Sequence, residues 1–524
     1  MVAAGDRHCG PTPSRGTRVS DVVLKMSLTH SSTLGVAARA VADTVGALGL
    51  APAARTHLEA LMSEALTAVI ADSFDGAEEI DVDVSVSHEP GRADILLKQR
   101  GAPSTYVSGE LPIRLETLLS LGYADSMHFA SDGIKGSELR ISRELTSSTL
   151  KDDPSFLEDA EKDDENDLVV ATDDMVIRPI TGDDVVEVAR LYFRTYGYTK
   201  IGTSWLYEPD VFRHKIETGI HEGMVAVLPS GRIVGHTGLV RPTSDSFTAS
   251  GGPAAVDPAF RERGIVTLLD EAFMPRIIEL GLRGIYVEGV TAHPASQAGA
   301  RRVGLRETGL VLARQPADVE FLGFDGPRGF RRAMVILYRS FGEPVAQTAH
   351  VPARYVEIME RIYGEVGLSR IIESDAGRTP TDLVSESRFN TELLAATKHA
   401  QIRVVEYGQD FVAALQNLIV RFESERFEAI TVHLPLMNPL TAYFGAGLGE
   451  LGLSFNAAFP EQELGDELVL GVNLSEQDPE TIQVASDFGK ELLDYVINDR
   501  DRVTGALQSR ARSRASMARI LDAL

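Results

Sequence analysis

The residues best suited to chemistry lie between Val256 and Val266, which read Val-Asp-Pro-Ala-Phe-Arg-Glu-Arg-Gly-Ile-Val. An apolar, strand-like run ends there, the chain turns through basic residues and a glycine, and a helical pattern follows from Thr267. Such a turn aims unpaired backbone N–H groups and the positive end of a helix dipole at one point. Arg261 and Arg263 add full positive charges, and Gly264 has no side chain to obstruct close approach. The chemistry expected of this segment is the binding of a phosphate or diphosphate. Taken alone, the turn also reads as an ordinary strand-to-helix connection on a charged surface.

The elements that must position this turn run from Met175 to about Phe341. Val176–Ile180 reads as a strand and Asp183–Tyr196 as an amphipathic helix, with Thr181 or Asp183 as its N-cap. Two apolar runs, 223–228 and 233–240, flank Pro229-Ser-Gly231 and form a hairpin. A strand ends at Asp257, a helix is expected over Thr267–Leu280, and another strand over Gly284–Thr291.

Around this block, residues 1–24 show no periodicity and are expected to be a disordered tail. Residues 25–147 alternate helical and strand-like patterns and read as a small α/β unit. Residues 148–174 carry a block of acidic residues, which repel one another and read as a solvated linker. A weaker α/β block spans 343–475, and two or three helices are expected over 476–524, the last of them Arg-rich and frayed.

Across the 524 residues, Lys plus Arg number 51 against 76 Asp plus Glu, a formal charge of −25. That balance argues against binding a nucleic-acid backbone or an anionic membrane surface. No apolar stretch reaches the ~18 residues of a membrane span, and the basic residues near the N-terminus are followed by no apolar segment, so a secretory signal is not expected. A cytoplasmic protein is expected. The single cysteine, Cys9, forms neither an intramolecular disulfide nor a thiolate metal site, and the 12 histidines show no metal-ligand spacing.

With these elements in place, residues 175–342 resemble the GNAT-type N-acetyltransferases. The loop Arg261-Glu-Arg-Gly264-Ile-Val266 is similar to that family's acetyl-CoA pyrophosphate loop, and Val256-Asp-Pro258 before it is typical. Ile177-Arg-Pro-Ile180 looks like the first strand, Gly231-Arg-Ile-Val-Gly235 the hairpin, and Arg302-Val-Gly-Leu-Arg-Glu307 the late Leu-Gly-Phe signature. The resemblance implies acetyl-CoA as cosubstrate, held by Val256, Arg261, Arg263, Gly264, Ile265 and Val266, with no metal. It also implies direct attack of an amine on the thioester, polarised by backbone N–H groups at Val256 and around Gly264. Two positions depart from the family: Val266 stands where Gly or Ala is usual, and Ala300 where a Tyr often protonates the departing thiolate. Glu288 and His293, on and just after the strand following the loop helix, are the candidate proton acceptors. His293 as an exposed turn residue is the other reading. Tyr196, Tyr198 and Trp205 are candidates for shaping the acceptor pocket, or else core aromatics.

Residues 26–147 resemble the ATP-binding fold of anti-sigma-factor serine kinases and histidine kinases. Ser63-Glu-Ala-Leu-Thr67 looks like the helix carrying Glu-x-x-x-Asn, and Gln99-Arg-Gly-Ala-Pro103 like the adenine box. The magnesium-binding Asn is replaced by Ala68 and the adenine-binding Asp by Gln99, so ATP turnover is not expected. A docking or dimerising module for a regulatory protein partner is. The C-terminal block is read as an eroded second acetyltransferase half, from Glu450-Leu-Gly-Leu-Ser-Phe455 and the strand after it.

The fold expected is therefore multidomain α/β (α+β), a central mixed sheet flanked by helices, with an N-terminal α/β sandwich and a C-terminal α/β block. The expected function is N-acetyl transfer from acetyl-CoA to an amine, on a small molecule or a protein lysine. The alternative is a non-catalytic acyl-CoA sensor or scaffold in a partner-switching pathway.

Overall fold

The computed structural model describes residues 21–145 and 175–522, apart from 76, 107, 199–200, 318–328, 343–345, 375–381, 473 and 475–477. The acidic segment 148–174 and the first twenty residues lie outside the described residues. The chain divides into two compact units, residues 1–162 and 163–524.

The first unit contains β1 (Asp21–His30), α1 (Leu34–Ala47), α2 (Pro52–Phe74), β2 (Glu79–Glu89), β3 (Arg92–Gln99), α3 (Ile113–Ser120), β4 (Ser126–Ser131) and β5 (Ser137–Glu144). β1 begins at Asp21, so residues 21–24, expected as part of a disordered tail, are strand and pair with β2. Composition misses this because one row of ladder hydrogen bonds, and not an apolar pattern, holds that end. The sheet is antiparallel in the order β1-β2-β3-β5-β4. Ile80, Val82, Val84 and Val86 alternate inward along β2, and α2 lays Leu58, Leu61, Met62, Ala65 and Leu66 against them.

The segment resembling an adenine box is tied down internally. Asp72 accepts hydrogen bonds from Thr105 N (3.0 Å), Thr105 Oγ1 (2.6 Å) and Ser104 Oγ (2.6 Å). Gly101 passes so close to α2 that a Cβ there would lie 2.1 Å from the Ser73 carbonyl oxygen. Buried Gln99 turns its side-chain oxygen to Gly101 N. The cavity lined by Ala68, Asp72, Gln99 and Tyr106 measures about 20 Å³.

The second unit is built on a twelve-stranded mixed sheet. Its first part comprises β6 (Val176–Pro179), α4 (Val185–Tyr196), α5 (Pro209–Glu217), β7 (His221–Val227), β8 (Ile233–Val240), β9 (Thr248–Val256), α6 (Ile265–Glu279), β10 (Gly284–Val290), α7 (Ala295–Arg302), β11 (Arg306–Gln315) and β12 (Arg332–Ser340). A parallel pair, β13 (Gln347–His350) and β14 (Arg370–Glu373), brackets α8 (Val356–Val366). Then follow β15 (Arg388–Leu394), β16 (His399–Glu406), α9 (Phe411–Ser424), β17 (Ala429–Pro435), α10 (Leu440–Gly445), β18 (Leu453–Gln462), β19 (Gly465–Val472) and α11 (Asp487–Asp522). α11 is one helix of 36 residues where two or three were expected.

The sheet order is β6-β7-β8-β9-β10-β12-β11-β18-β19-β17-β16-β15. It contains one arrangement twice. β8 and β9 are antiparallel, a helix crosses to parallel β10, and a second helix leads to the pair β11–β12, whose later strand lies inside. β15 and β16, α9, parallel β17, α10 and the pair β18–β19 repeat this order. The halves join edge to edge, antiparallel, where Gly309 of β11 faces Ala457 of β18. Residues 175–342 and 343–475, read from the sequence as separate blocks, thus share one sheet. α11 straps the seam: its Asp499 accepts from Phe455 N (2.8 Å), and Ser486 just before it donates to Glu307 Oε1 (2.6 Å).

The N-terminus of the first half is set by a capping box, in which Thr181 and Asp184 satisfy each other's backbone N–H groups. Asp184, not Asp183, is the acidic partner, and Arg178 pairs with it at 2.7 Å. Burial pushes the Asp184 carboxyl up, but Arg178 and Thr181 outweigh it and leave it below its ordinary value.

Candidate functional site

β9 follows β8 from Val240↔Ser250 to Gly235↔Val256, but pairs with β10 only from Gly284↔Thr248 to Val287↔Gly251. Beyond Gly251 the parallel partners separate, opening a split in the sheet. Asp257 N donates to Val234 O across β8 (2.9 Å). By the alternation of an antiparallel ladder, the N–H and C=O groups of Ala254 and Val256 point the other way, into the split. One of these acceptors is used: the Tyr196 hydroxyl, from the end of α4, donates to Ala254 O at 3.3 Å. Burial pushes the Tyr196 phenol up to about 12, against the pull of Arg261, so it is protonated at neutral pH.

The turn that follows β9 is anchored by Asp257, which is 2% exposed. It accepts from Ala259 N (3.1 Å), Arg194 Nε (2.8 Å) and Arg232 Nη2 (3.0 Å). Burial pushes its carboxyl up, but the two guanidiniums and the Ala259 N–H hold it below its ordinary range. Arg263 stacks on Phe260, 4.9 Å from the ring centre. Glu262 and Gly264 both have left-handed backbones, φ 65° and 75°, so the chain curls around Arg263 before α6 begins. The first intrahelical bond of α6 is Leu268 N to Gly264 O, which leaves the N–H groups of its first turn without intrahelical acceptors.

The helix starts two residues earlier than its periodicity suggests, so Ile265 and Val266 form its first turn. Ile265 is buried, and α6 packs so tightly on β8 that a Cβ at Gly235 would lie 2.7 Å from Ile265 Cγ2. Only the backbone of Ile265 can therefore meet a ligand. Val266 is 45% exposed and directs its side chain away from the core. Ala300 is buried on α7.

Of the candidate proton acceptors, Glu288 is the first residue of β10 beyond its pairing with β9, at the mouth of the split. Its carboxylate is gripped by Arg314, with Nε 3.1 Å from Oε2 and Nη2 3.0 Å from Oε1. His293 is half-buried beside the loop; burial and the charge of Arg261 push its imidazole down, so it is neutral at pH 7. The fields of Arg261 thus reach both Tyr196 and His293.

The aromatic residues near the split form a separate core. Tyr192, Tyr196, Tyr207 and Phe212 are buried, Tyr198 lies 5.1 Å from Tyr207, and Trp205 packs edge-on against Phe212 at 5.2 Å. Within this core His221 and His236 stack at 5.4 Å, with Tyr192 Oη 3.0 Å from His236 Nδ1. Burial and Lys215 push the His221 imidazole down to about 3. A base whose folded value lies below its ordinary 6.5 contributes its full stability above pH 6.5 and loses it as pH falls toward 3. Urea midpoints should therefore fall as pH drops across that window, by up to roughly 5 kcal/mol in unfolding free energy. His221→Gln should flatten the decline, and an unchanged slope would refute this role.

No protein-family model matches the chain, and no curated protein matches it. Solved structures similar to it include the ribosomal-protein-S18-alanine N-acetyltransferase of Escherichia coli, 14% identical over 33% of this chain and 96% of that one, with TM-score 0.26. A GNAT-superfamily phosphinothricin acetyltransferase from Sinorhizobium meliloti, solved with AcCoA, is 21% identical over 32% and 90%, TM-score 0.26. A GCN5-related N-acetyltransferase from Kribbella flavida is 19% identical over 33% and 100%, TM-score 0.25.

Sequence patterns do not mark Asp257 as a buried anchor, Arg194 and Arg232 as its partners, or Arg314 as the partner of Glu288. Spacing carries no trace of them, since the members of each pair lie 25 to 63 residues apart. The one available signal was Asp before Pro at a strand end, which marks a side-chain cap.

Proposed function

We propose that residues 175–342 bind acetyl-CoA and transfer its acetyl group to an amine. The observation that carries this reading is the split between parallel β9 and β10, opening directly ahead of the basic turn at the start of α6. An extended pantetheine arm would lie in the split and pair with the inward-facing groups of Ala254 and Val256. The diphosphate would meet the N–H groups around Gly264, with Arg261 and Arg263 beside them. The Val256 N–H would polarise the thioester carbonyl where charge develops.

In the transfer itself, the amine nitrogen bonds to the carbonyl carbon, the C–S bond breaks, and the amine gives up a proton. Glu288, at the mouth of the split, is the proposed acceptor of that proton, with neutral His293 on the loop side. Tyr196, protonated and donating to Ala254 O, is the proposed proton donor in place of Ala300: its hydroxyl would turn from Ala254 O to give its proton to the departing thiolate and regain one from water.

Calorimetric titration of the purified chain with acetyl-CoA tests this. Micromolar binding is expected, and Gly264→Glu should abolish it, because it places a carboxylate and a Cβ at φ 75° where the diphosphate would sit. No acetyl-CoA binding would sink the transferase reading. ATP–magnesium in the same assay should give no heat, since a cavity of about 20 Å³ holds about one water.

A further inference from the structure

Arg314 uses two of its nitrogens on Glu288, and the third, Nη1, meets Nδ1 of His399. Arg314 belongs to β11 in the first half of the sheet and His399 opens β16 in the second. A guanidinium can only donate, so Nδ1 of His399 is the bare nitrogen and Nε2 carries the hydrogen. That Nε2 lies 3.0 Å from Thr431 Oγ1 on β17. His399 is 1% exposed, and burial with the charge of Arg314 pushes its imidazole well down, so the ring is neutral. Burial pushes the Arg314 guanidinium down as well, but Glu288 more than offsets this. Four side chains from four strands thus form one line, Thr431–His399–Arg314–Glu288, that crosses from one half to the other and ends at the mouth of the split.

The faces agree with this path. Glu288 and Tyr286 share one side of β10, and Tyr286 meets Phe459 of β18 edge-on at 5.4 Å. Phe459 in turn lies 5.8 Å from His433 of β17. The sheet therefore curls so that its second half looks onto the Glu288 side of its first half. The turn Ala395–Thr397, two residues before His399, packs against the turn Ile201–Tyr207 that follows α4.

We propose that the C-terminal half completes the amine side of the reaction site by positioning Glu288. Arg314 sets the tautomer of His399, Thr431 accepts from Nε2 and fixes the plane of the ring, and the ring in turn holds the Arg314 guanidinium, which keeps the Glu288 carboxylate toward an incoming amine. This rests on the transferase reading above. His399 and Thr431 are positioning residues. The proton taken from the amine by Glu288 leaves to water after the C–S bond has broken, so no further reactant is required.

The test uses the full chain and follows thiol release from acetyl-CoA, with water and with methylamine as nucleophiles, beside calorimetry of acetyl-CoA binding. Glu288→Gln is expected to lower kcat by about 100-fold with an unchanged Kd for acetyl-CoA. His399→Leu, which leaves Arg314 Nη1 unanswered, should lower kcat at least 10-fold, also at unchanged Kd. His399→Gln can accept from Arg314 through its carbonyl and donate to Thr431 through its amide, and should restore kcat to within about threefold. Wild-type kcat in His399→Leu or in Glu288→Gln would overturn the proposal. So would equal losses in the Leu and Gln variants that follow their melting temperatures. A chain that binds no acetyl-CoA fails earlier and separately, as a failure of the transferase reading.

Discussion

Gly309→Val is expected to open the seam between the two halves and to destabilise the second unit by about 3–5 kcal/mol. A Cβ at position 309 would lie 2.3 Å from Ala457 Cα and 2.4 Å from Asn456 O, both backbone atoms that cannot turn aside. The backbone there, φ 152°, lies at the edge of the range that favours glycine. Gly309↔Ala457 is the register pair that joins β11 to β18. Val311, Ile336, Ala457 and Val469 form a small apolar cluster on the same face, so separation would also expose a buried patch. Urea unfolding should show a lower midpoint and a second transition as the halves uncouple, and hydrogen exchange should accelerate at the facing amides of β11 and β18. An unchanged midpoint would show that the Gly309–Ala457 register does not hold the seam. Because Arg314 and Glu307 also lie on β11, thiol release from acetyl-CoA should fall with the seam.

The second large effect concerns Asp257. Asp257→Asn is expected to cost about 3–5 kcal/mol, because it leaves two partly buried guanidiniums, Arg194 and Arg232, without their shared counter-charge. The asparagine oxygen can still cap Ala259 N, so the loss isolates charge from capping. The folded carboxyl is held below its ordinary value, so its contribution is present above the ordinary range near 3.8 and is lost as pH falls through the folded value. Wild type and variant should therefore converge in stability at low pH and differ most near neutrality. Denaturant curves at several pH values would check this; a constant gap would sink the electrostatic account. Since Asp257 begins the turn leading to Gly264, the variant should also weaken acetyl-CoA binding.

The secondary structure around the candidate site was legible because it is local. Alternating Ile80, Val82, Val84 and Val86 can only be one face of a strand, and Leu58, Leu61, Met62 and Ala65 only one face of a helix. The turn from Val256 to Val266 announced itself through Pro258, Arg261, Arg263 and Gly264 within seven residues, which restrict the backbone or add charge. The ends of elements were less legible. β1 starts at Asp21 because its ladder with β2 extends there, and α6 starts at Ile265 because its first side chain is buried against Gly235.

What the chain's order of residues determined by itself was thus the elements, the acidic surface and the place of the basic turn, all set by interactions between near neighbours. Tertiary structure alone decided that β9 and β10 part after Gly251, and that residues 343–475 continue the sheet of 175–342. It also decided that Glu288 is answered by Arg314 and His399. These depend on which strands become neighbours, and hydrogen-bond pairing between residues 26 to 148 positions apart leaves no periodic mark in a sequence.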